Sequence, residues 1–365
     1  MVGSSFPRTL QDITPEWLTG VLRQGGVLST ARVSKILGEP VGIGLGFMSA
    51  MQRLSIDYAG DTPGAPTQLI AKLAPADPGA RQIDLVFQFY EKETGFYRLL
   101  QTETPIRTPK AYHVDFDPES HDFILLMEDL SPARLGDHLV GMSPADAGLA
   151  LDAVGAMHGH WWRSPRLAEM PWLLEINSPQ MKGLQGVYQQ CWPAVVDFLG
   201  DAMPSAIRKT GEKLATRIEA MMDLAADMPR TLMHGDYRAD NMFFEVGAAK
   251  EPFAIADWQV MLEGPAAFDL AYMLAGSLKP DVRRSCEDAL VSRHHGALER
   301  AGVSDYSLAQ LRTDYRVCAT LGWCWPVVAI GSLDMTNDRG VAVFRAWAER
   351  AMETVLDLNG DAVIP

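Results

Sequence analysis

His234-Gly235-Asp236-Tyr237-Arg238-Ala239-Asp240-Asn241, followed by Ile255-Ala256-Asp257-Trp258-Gln259, is the stretch on which the reading of this chain turns. Asp236 and Asn241 lie five positions apart, and a further carboxylate, Asp257, follows them in the next apolar segment. Met242-Phe243-Phe244 and Phe253-Ala254-Ile255-Ala256 have the make-up of two short strands, with Gly247 to Glu251 as the turn. Such a hairpin would pin the loop and the second carboxylate together.

The order Asp, Asn five residues later, then Asp on the next hairpin resembles the acidic elements of an ATP-dependent kinase site. There one Asp takes or orients the proton of the attacking hydroxyl, and the Asn and second Asp hold magnesium. His-Gly-Asp with its Asn resembles the aminoglycoside phosphotransferase and choline kinase-like superfamily. Glu263-Gly264-Pro265, then Asp269-Leu270-Ala271-Tyr272, is similar to bacterial phosphotransferases related to ecdysteroid-kinase-like proteins. The resemblance implies an α+β, protein kinase-like, two-lobed fold, with a small antiparallel β-sheet lobe and a larger, mainly helical one. It also implies Asp236 as the catalytic carboxylate, Asn241 and Asp257 as magnesium ligands, Asp269 as a brace behind the loop, and ATP as the phosphoryl donor. Arg238 falls where protein kinases carry a Lys near the γ-phosphate; a salt bridge to Asp240 is its other reading.

At 365 residues the chain is long enough for two lobes, and the expected division is 1–128 for nucleotide binding and 129–365 for the catalytic loop, metal site and acceptor pocket. A net charge of −14 argues against nucleic acid as a partner. Cys191, Cys286, Cys318 and Cys324 show no metal-binding or disulfide spacing and suit a reducing cytoplasm; the first ten residues lack a secretory pattern. Val317 to Leu333 carries no charge, but Gly322, Pro326 and Gly331 interrupt it, so a buried helix fits better than a membrane span.

In the first lobe, Thr14, Pro15 and Gly25-Gly26 bound a helix over 15–24. Leu54, Ile56 and Tyr58 alternate with polar residues, Gln68 to Leu73 and Phe123 to Met127 read as buried strands, and Tyr112 to Phe116 precedes a turn at Asp117-Pro118-Glu119. The glycine-rich Gly42 to Ser49 offers Gly44, Gly46 and Ser49 as a cover for ATP phosphates, although it lacks both a Walker lysine and the G-x-G-x-x-G pattern. Lys72 resembles the third-strand lysine that grips phosphates. Its partner follows from periodicity: Phe89, Tyr90, Phe96, Tyr97 and Leu100 make one helical stripe, and Glu93, rather than Glu91, falls inside it. Glu128 and Leu130 bound the expected hinge whose backbone faces adenine.

Ser143 and Pro144 start a helix carrying Leu151, Val154, Met157 and Trp161 inward; His158 and His160 do not share its face, and His294-His295 read as ordinary core or surface residues. The Pro-, Trp- and Met-rich segment 164–204 is the candidate acceptor pocket, with plain helix packing as the alternative. Only twelve positions separate Asp257 from Asp269, too few for a long peptide-docking activation segment. The expected function is ATP-dependent transfer of a phosphoryl group to a hydroxyl of a small molecule; a catalytically inactive, kinase-like binding protein is the alternative. Acceptor identity and oligomeric state are not encoded in any motif.

Overall fold

Strand-forming and helix-forming segments segregate along the chain, so that the computed structural model, which describes residues 6–41, 48–332 and 338–365, divides into two units. One comprises Met1–Glu103 with Thr108–Pro132, the other Thr104–Arg107 with Ala133–Pro365.

The first unit opens with α1 (Pro15–Gln24), whose N-terminus is closed by the Thr14 hydroxyl accepting the Trp17 N–H. Strands β1 (Arg32–Pro40), β2 (Ala50–Ala59) and β3 (Gln68–Leu73), helices α2 (Pro78–Phe87) and α3 (Phe89–Gly95), and strands β4 (Ala111–Asp117) and β5 (Asp122–Glu128) follow. The strands form one antiparallel sheet in the order β1-β2-β3-β5-β4. Side chains alternate across it. Leu54, Ile56, Leu69, Ala71, Ile124 and Leu126 line one face and pack with Leu18 and Leu22 of α1. Lys72 and its cross-strand neighbour Leu125 therefore point to the other face. There Tyr90 of α3 lies 4.8 Å from the ring of Phe123. The helix expected to bear Glu93 is α3, which runs on into a π-helical turn, Phe96–Leu100; a further helix, α2, precedes it, set apart by Gln88 in a left-handed conformation (φ 57°). Gly44 and Gly46 lie outside the described residues; Ser49 sits half-buried just before β2.

The second unit contains β6 (Arg134–Leu135), α4 (Pro144–His160), α5 (Pro179–Lys182), α6 (Leu184–Leu199), α7 (Ser205–Leu214), α8 (Ile218–Ala226) and β7 (Arg230–Met233). Then come β8 (Met242–Val246), β9 (Glu251–Ile255), β10 (Leu262–Pro265), α9 (Ala266–Ser277), α10 (Pro280–Arg300), α11 (Leu308–Gly322), α12 (Cys324–Gly331) and α13 (Asp338–Asp357). The hairpin expected from the sequence is β8 and β9, joined by β6; β7 and β10, too short to stand out in the sequence, make a separate pair. The uncharged run from Val317 becomes α11 and α12, broken at Trp323, and among the described residues no helix is long and apolar enough to cross a membrane. Helix α9 is buried on every side and forms the axis of this unit.

Candidate active site

The loop between β7 and β8 carries His234 to Asn241, and its shape follows from bonds to its backbone. Asp269, fully buried near the start of α9, accepts the N–H of His234 through Oδ2 (2.7 Å) and that of Gly235 through Oδ1 (2.9 Å). That is the bracing the family resemblance implied. Gly235 has φ +80°, and a Cβ there would lie 2.4 Å from the carbonyl oxygen of Val260. The residue between His and Asp is glycine because no side chain fits. His234 Nε2 lies 3.1 Å from the carbonyl of Ala256, just before Asp257, while its Nδ1 accepts the Asp236 N–H at 3.3 Å. Burial pushes the His234 imidazole below its ordinary pKa, which fits this neutral tautomer and a structural part rather than a base.

Asp236 is the most heavily engaged side chain of the loop. Arg238 Nε donates to both of its oxygens (3.0 Å each), Tyr272 Oη to Oδ1 (2.8 Å) and Asn241 Nδ2 to Oδ2 (2.9 Å). Burial alone would raise its pKa; the adjacent Arg238 guanidinium and the Tyr272 and Arg238 hydrogen bonds outweigh that and hold it below the usual carboxylate range. Of the two places the sequence left for Arg238, the structure shows the Asp240 pair, with Nη1 2.9 Å from Oδ2, and adds the contact to Asp236. Burial works against the guanidinium's charge, but these two carboxylates raise its pKa above the ordinary arginine value. Tyr272, one helical turn after Asp269 on α9, is kept protonated by burial and by Asp236, so it can only donate to that carboxylate.

Asn241 and Asp257 come together through the β8–β9 hairpin: Met242 pairs with Ile255, and the Ala256 N–H donates to the Asn241 carbonyl (3.0 Å). Asn241 Nδ2 also donates to the Asp236 carbonyl (2.9 Å), which turns Oδ1 into the atom free to meet a cation. Asp257 is half-buried in a left-handed conformation (φ 70°). Among the described residues no three His, Cys, Asp or Glu side chains converge on one point. One carboxylate and one amide oxygen nevertheless suit magnesium, a hard cation that keeps waters and substrate phosphates as its remaining ligands.

In the first unit, Lys72 Nζ lies 2.8 Å from Glu93 Oε1 and 2.7 Å from Oε2, with both side chains almost wholly buried. The pair is bidentate and enclosed, so each charge depends on the other. The Glu128 N–H donates to the carbonyl of Lys110, and Glu128 Oε2 accepts the Lys110 N–H, while Leu130 is buried just beyond β5.

The aromatic residues of segment 164–204 are occupied in packing. Tyr188 and Trp192 stack at 5.6 Å, Tyr188 donates to the carbonyl of Gly211, and Trp172 and Trp192 are buried. The plain-packing alternative is what the structure shows for these rings. Aromatic side chains adjoin Asp236 from elsewhere: Tyr272 meets Phe268 at 5.9 Å and Trp347 of α13 at 5.4 Å. Tyr272 was legible only as part of the Asp-Leu-Ala-Tyr run, and Trp347, far along the chain, carried no signal.

Comparison with known proteins agrees with this architecture. The profile of the Ecdysteroid kinase-like family matches residues 44–302. Among solved structures, a candidate aminoglycoside phosphotransferase from Ralstonia eutropha JMP134 is similar over 94% of this chain and 98% of its own, at 16% identity and a TM-score of 0.51. Aminoglycoside phosphotransferase APH(2″)-IIIa, solved with GDP and kanamycin, is similar over 95% and 99%, at 15% identity and a TM-score of 0.51. A choline/ethanolamine kinase family protein from Mesorhizobium loti covers 90% and 89%, at 16% identity and a TM-score of 0.46. The two phosphotransferase structures with a TM-score of 0.51 share the protein kinase-like fold with this chain. A search of curated proteins gives no match.

Proposed function

The chain belongs to the ecdysteroid kinase-like family, and on that premise we propose that it transfers the γ-phosphoryl group of ATP to a hydroxyl of a small molecule. The observation that carries the reading is the state of Asp236: a depressed carboxylate, oriented by three side chains, on a loop whose backbone is tied to Asp269. A carboxylate held this rigidly is suited to orient an acceptor O–H and receive its proton late in the transfer. The acceptor oxygen forms a bond to the γ-phosphorus, the bond to the ADP oxygen breaks, and the hydroxyl proton passes to Asp236. Arg238, shared between Asp236 and Asp240, acts by fixing that carboxylate. Asn241 Oδ1 and the Asp257 carboxylate would hold magnesium, which supplies charge neutralisation on the phosphate oxygens when bound. Lys72, fixed by Glu93, pairs with nucleotide phosphates, and the backbone near Leu130 is the candidate for reading the base, since the Glu128 N–H is committed to Lys110.

An ADP-release screen over hydroxylated metabolites tests the proposal, with Asp236→Ala as control. Acceptor-dependent release by the wild type that is lost in the variant is the expected result. Equal release by both proteins would remove Asp236 from the chemistry, and no release with any compound would remove the reading itself.

A further inference from the structure

His158 of α4 and His294 of α10 are both fully buried, and together they reach the brace of the catalytic loop. His158 Nε2 lies 3.1 Å from Asp269 Oδ2, and its Nδ1 lies 3.1 Å from His294 Nε2. The backbone of His158 is fixed as well: its carbonyl accepts the Thr231 hydroxyl (2.7 Å) of β7, the strand that leads into His234. Gly155 lets the two helices close on each other, since a Cβ there would lie 2.5 Å from that of Ala297, about one helical turn past His294.

The hydrogens along this line can be placed from the acceptors. Both oxygens of Asp269 already accept backbone N–H groups, from His234 and Gly235, so the hydrogen shared with His158 belongs to Nε2. His158 Nδ1 is then a lone pair in need of a donor. Burial, with His158 and His295 beside it, holds the His294 imidazole well below its ordinary pKa, so that ring is neutral and carries one hydrogen. On Nε2 this hydrogen meets His158, and His294 Nδ1, which has no partner, is left as a bare lone pair. On Nδ1 it would be a stranded N–H in the core, and His158 would need a second proton.

We infer that His294 and His158 are positioning residues for the phosphoryl transfer: His294 donates to His158, which fixes that imidazole as a donor to Asp269 and so holds the loop presenting Asp236. Asp269 then receives three N–H groups. Its carboxylate cannot turn without disturbing the amides of His234 and Gly235, and Asp236 follows them directly in the chain. A side chain on α10 thereby helps to aim the group that meets the acceptor, through two intervening residues. The inference rests on the phosphotransferase reading above.

The first test is spectroscopic and uses the full wild-type chain, isotopically labelled at its histidine ring nitrogens. Long-range proton–nitrogen correlation separates bare from protonated nitrogens, and loss of signals in His158→Gln and His294→Gln assigns the two rings. Each should carry hydrogen on Nε2 alone. A second hydrogen on His158, or hydrogen on His294 Nδ1, overturns the inference whether or not any variant is active.

The second test follows ADP release from magnesium-ATP with water as acceptor, which yields ADP and inorganic phosphate, for the wild type, His294→Leu, His294→Gln and Asp236→Ala. Circular dichroism, thermal melts and nucleotide affinity are recorded on the same samples. His294→Leu should lower kcat about tenfold or more with KM for ATP unchanged, and His294→Gln, whose amide N–H can replace the Nε2 donor, should recover much of the loss. A pair that only fills the core would lower the melting temperature but leave kcat of the folded variant within about twofold of the wild type. With Asp236→Ala still silent, that result overturns the inference and leaves the kinase reading standing. If Asp236→Ala matches the wild type, or the wild type releases no ADP with water or any hydroxyl compound of the screen, the phosphotransferase reading falls and this inference with it.

Discussion

Gly235 shows how little freedom single positions of the loop have. Gly235→Ala must bear a left-handed φ and a Cβ 2.4 Å from the Val260 carbonyl, so it should cost about 2–3 kcal/mol in urea unfolding and lower turnover together with stability. Asp236 and Asp257 should separate by assay. Asp236→Asn keeps the hydrogen-bonding shape but not the base, and is expected to lose about 10²- to 10⁴-fold in single-turnover rate with magnesium-ATP affinity intact. Asp257→Asn removes a candidate metal ligand and should weaken both. Equal loss of nucleotide affinity in the two variants would merge their roles. Lys92 gives a test away from the chemistry. Its ammonium is buried without a hydrogen-bond partner over the Phe89 ring, and burial pushes it down to about 7. Between pH 7 and the ordinary lysine value the unfolded chain binds the extra proton, so folding stability should rise with pH across that window. The gain is at most about 5 kcal/mol, at roughly 1.4 kcal/mol per unit. Lys92→Met should flatten that slope and stabilise the protein at neutral pH, as urea titrations over a pH series would show.

Among the elements, α4 and α10 approach each other closely through glycines. A Cβ on Gly155 would lie 2.5 Å from the Cβ of Ala297, and one on Gly159 would lie 2.3 Å from that of Ala301. The same seam holds His158, whose Nδ1 is 3.1 Å from His294 Nε2 and whose Nε2 is 3.1 Å from Asp269. Gly155→Ala should therefore cost about 1–3 kcal/mol through overpacking. Adding Ala297→Gly should return part of it, with a coupling above about 0.5 kcal/mol in a double-mutant cycle. Simple additivity would mean that the helices separate easily. These histidines mark where sequence reading ended. The pattern of α4 placed Leu151, Val154 and Met157 inward, and His158 sits next to Met157, but nothing local says that its partners lie on α9 and α10. Lys72 and Glu93 were legible because Lys72 stands in an apolar strand and Glu93 falls inside an apolar helical stripe, and two buried opposite charges must find each other. Tyr272 was not, because α9 is buried on every side and its periodicity names no preferred face. Helix α2 was not read from the sequence at all: the stripe begins only at Phe89, beyond the left-handed Gln88 that separates the two helices.

Across the whole molecule, each unit has an apolar interior of its own, so a single two-state transition is not the expectation. Magnesium-ATP at about a hundred times its Kd should stabilise whichever unit binds it by about 2.7 kcal/mol. Lys72→Ala should abolish that shift, and calorimetric scans with and without nucleotide would reveal a contradiction if the variant responded like the wild type. Arg350 ties together parts of the second unit that are remote in the chain: it donates to the carbonyls of His138, Leu139 and Gly276. A lysine offers one nitrogen where the arginine fork places two against these carbonyls, and a neutral side chain would strand them. Trp347 of the same helix lies where a Cβ at position 276 would come within 3.1 Å of its ring. Positions 276 and 347 should therefore drift as one inherited unit, a covariation that an alignment of family members would display.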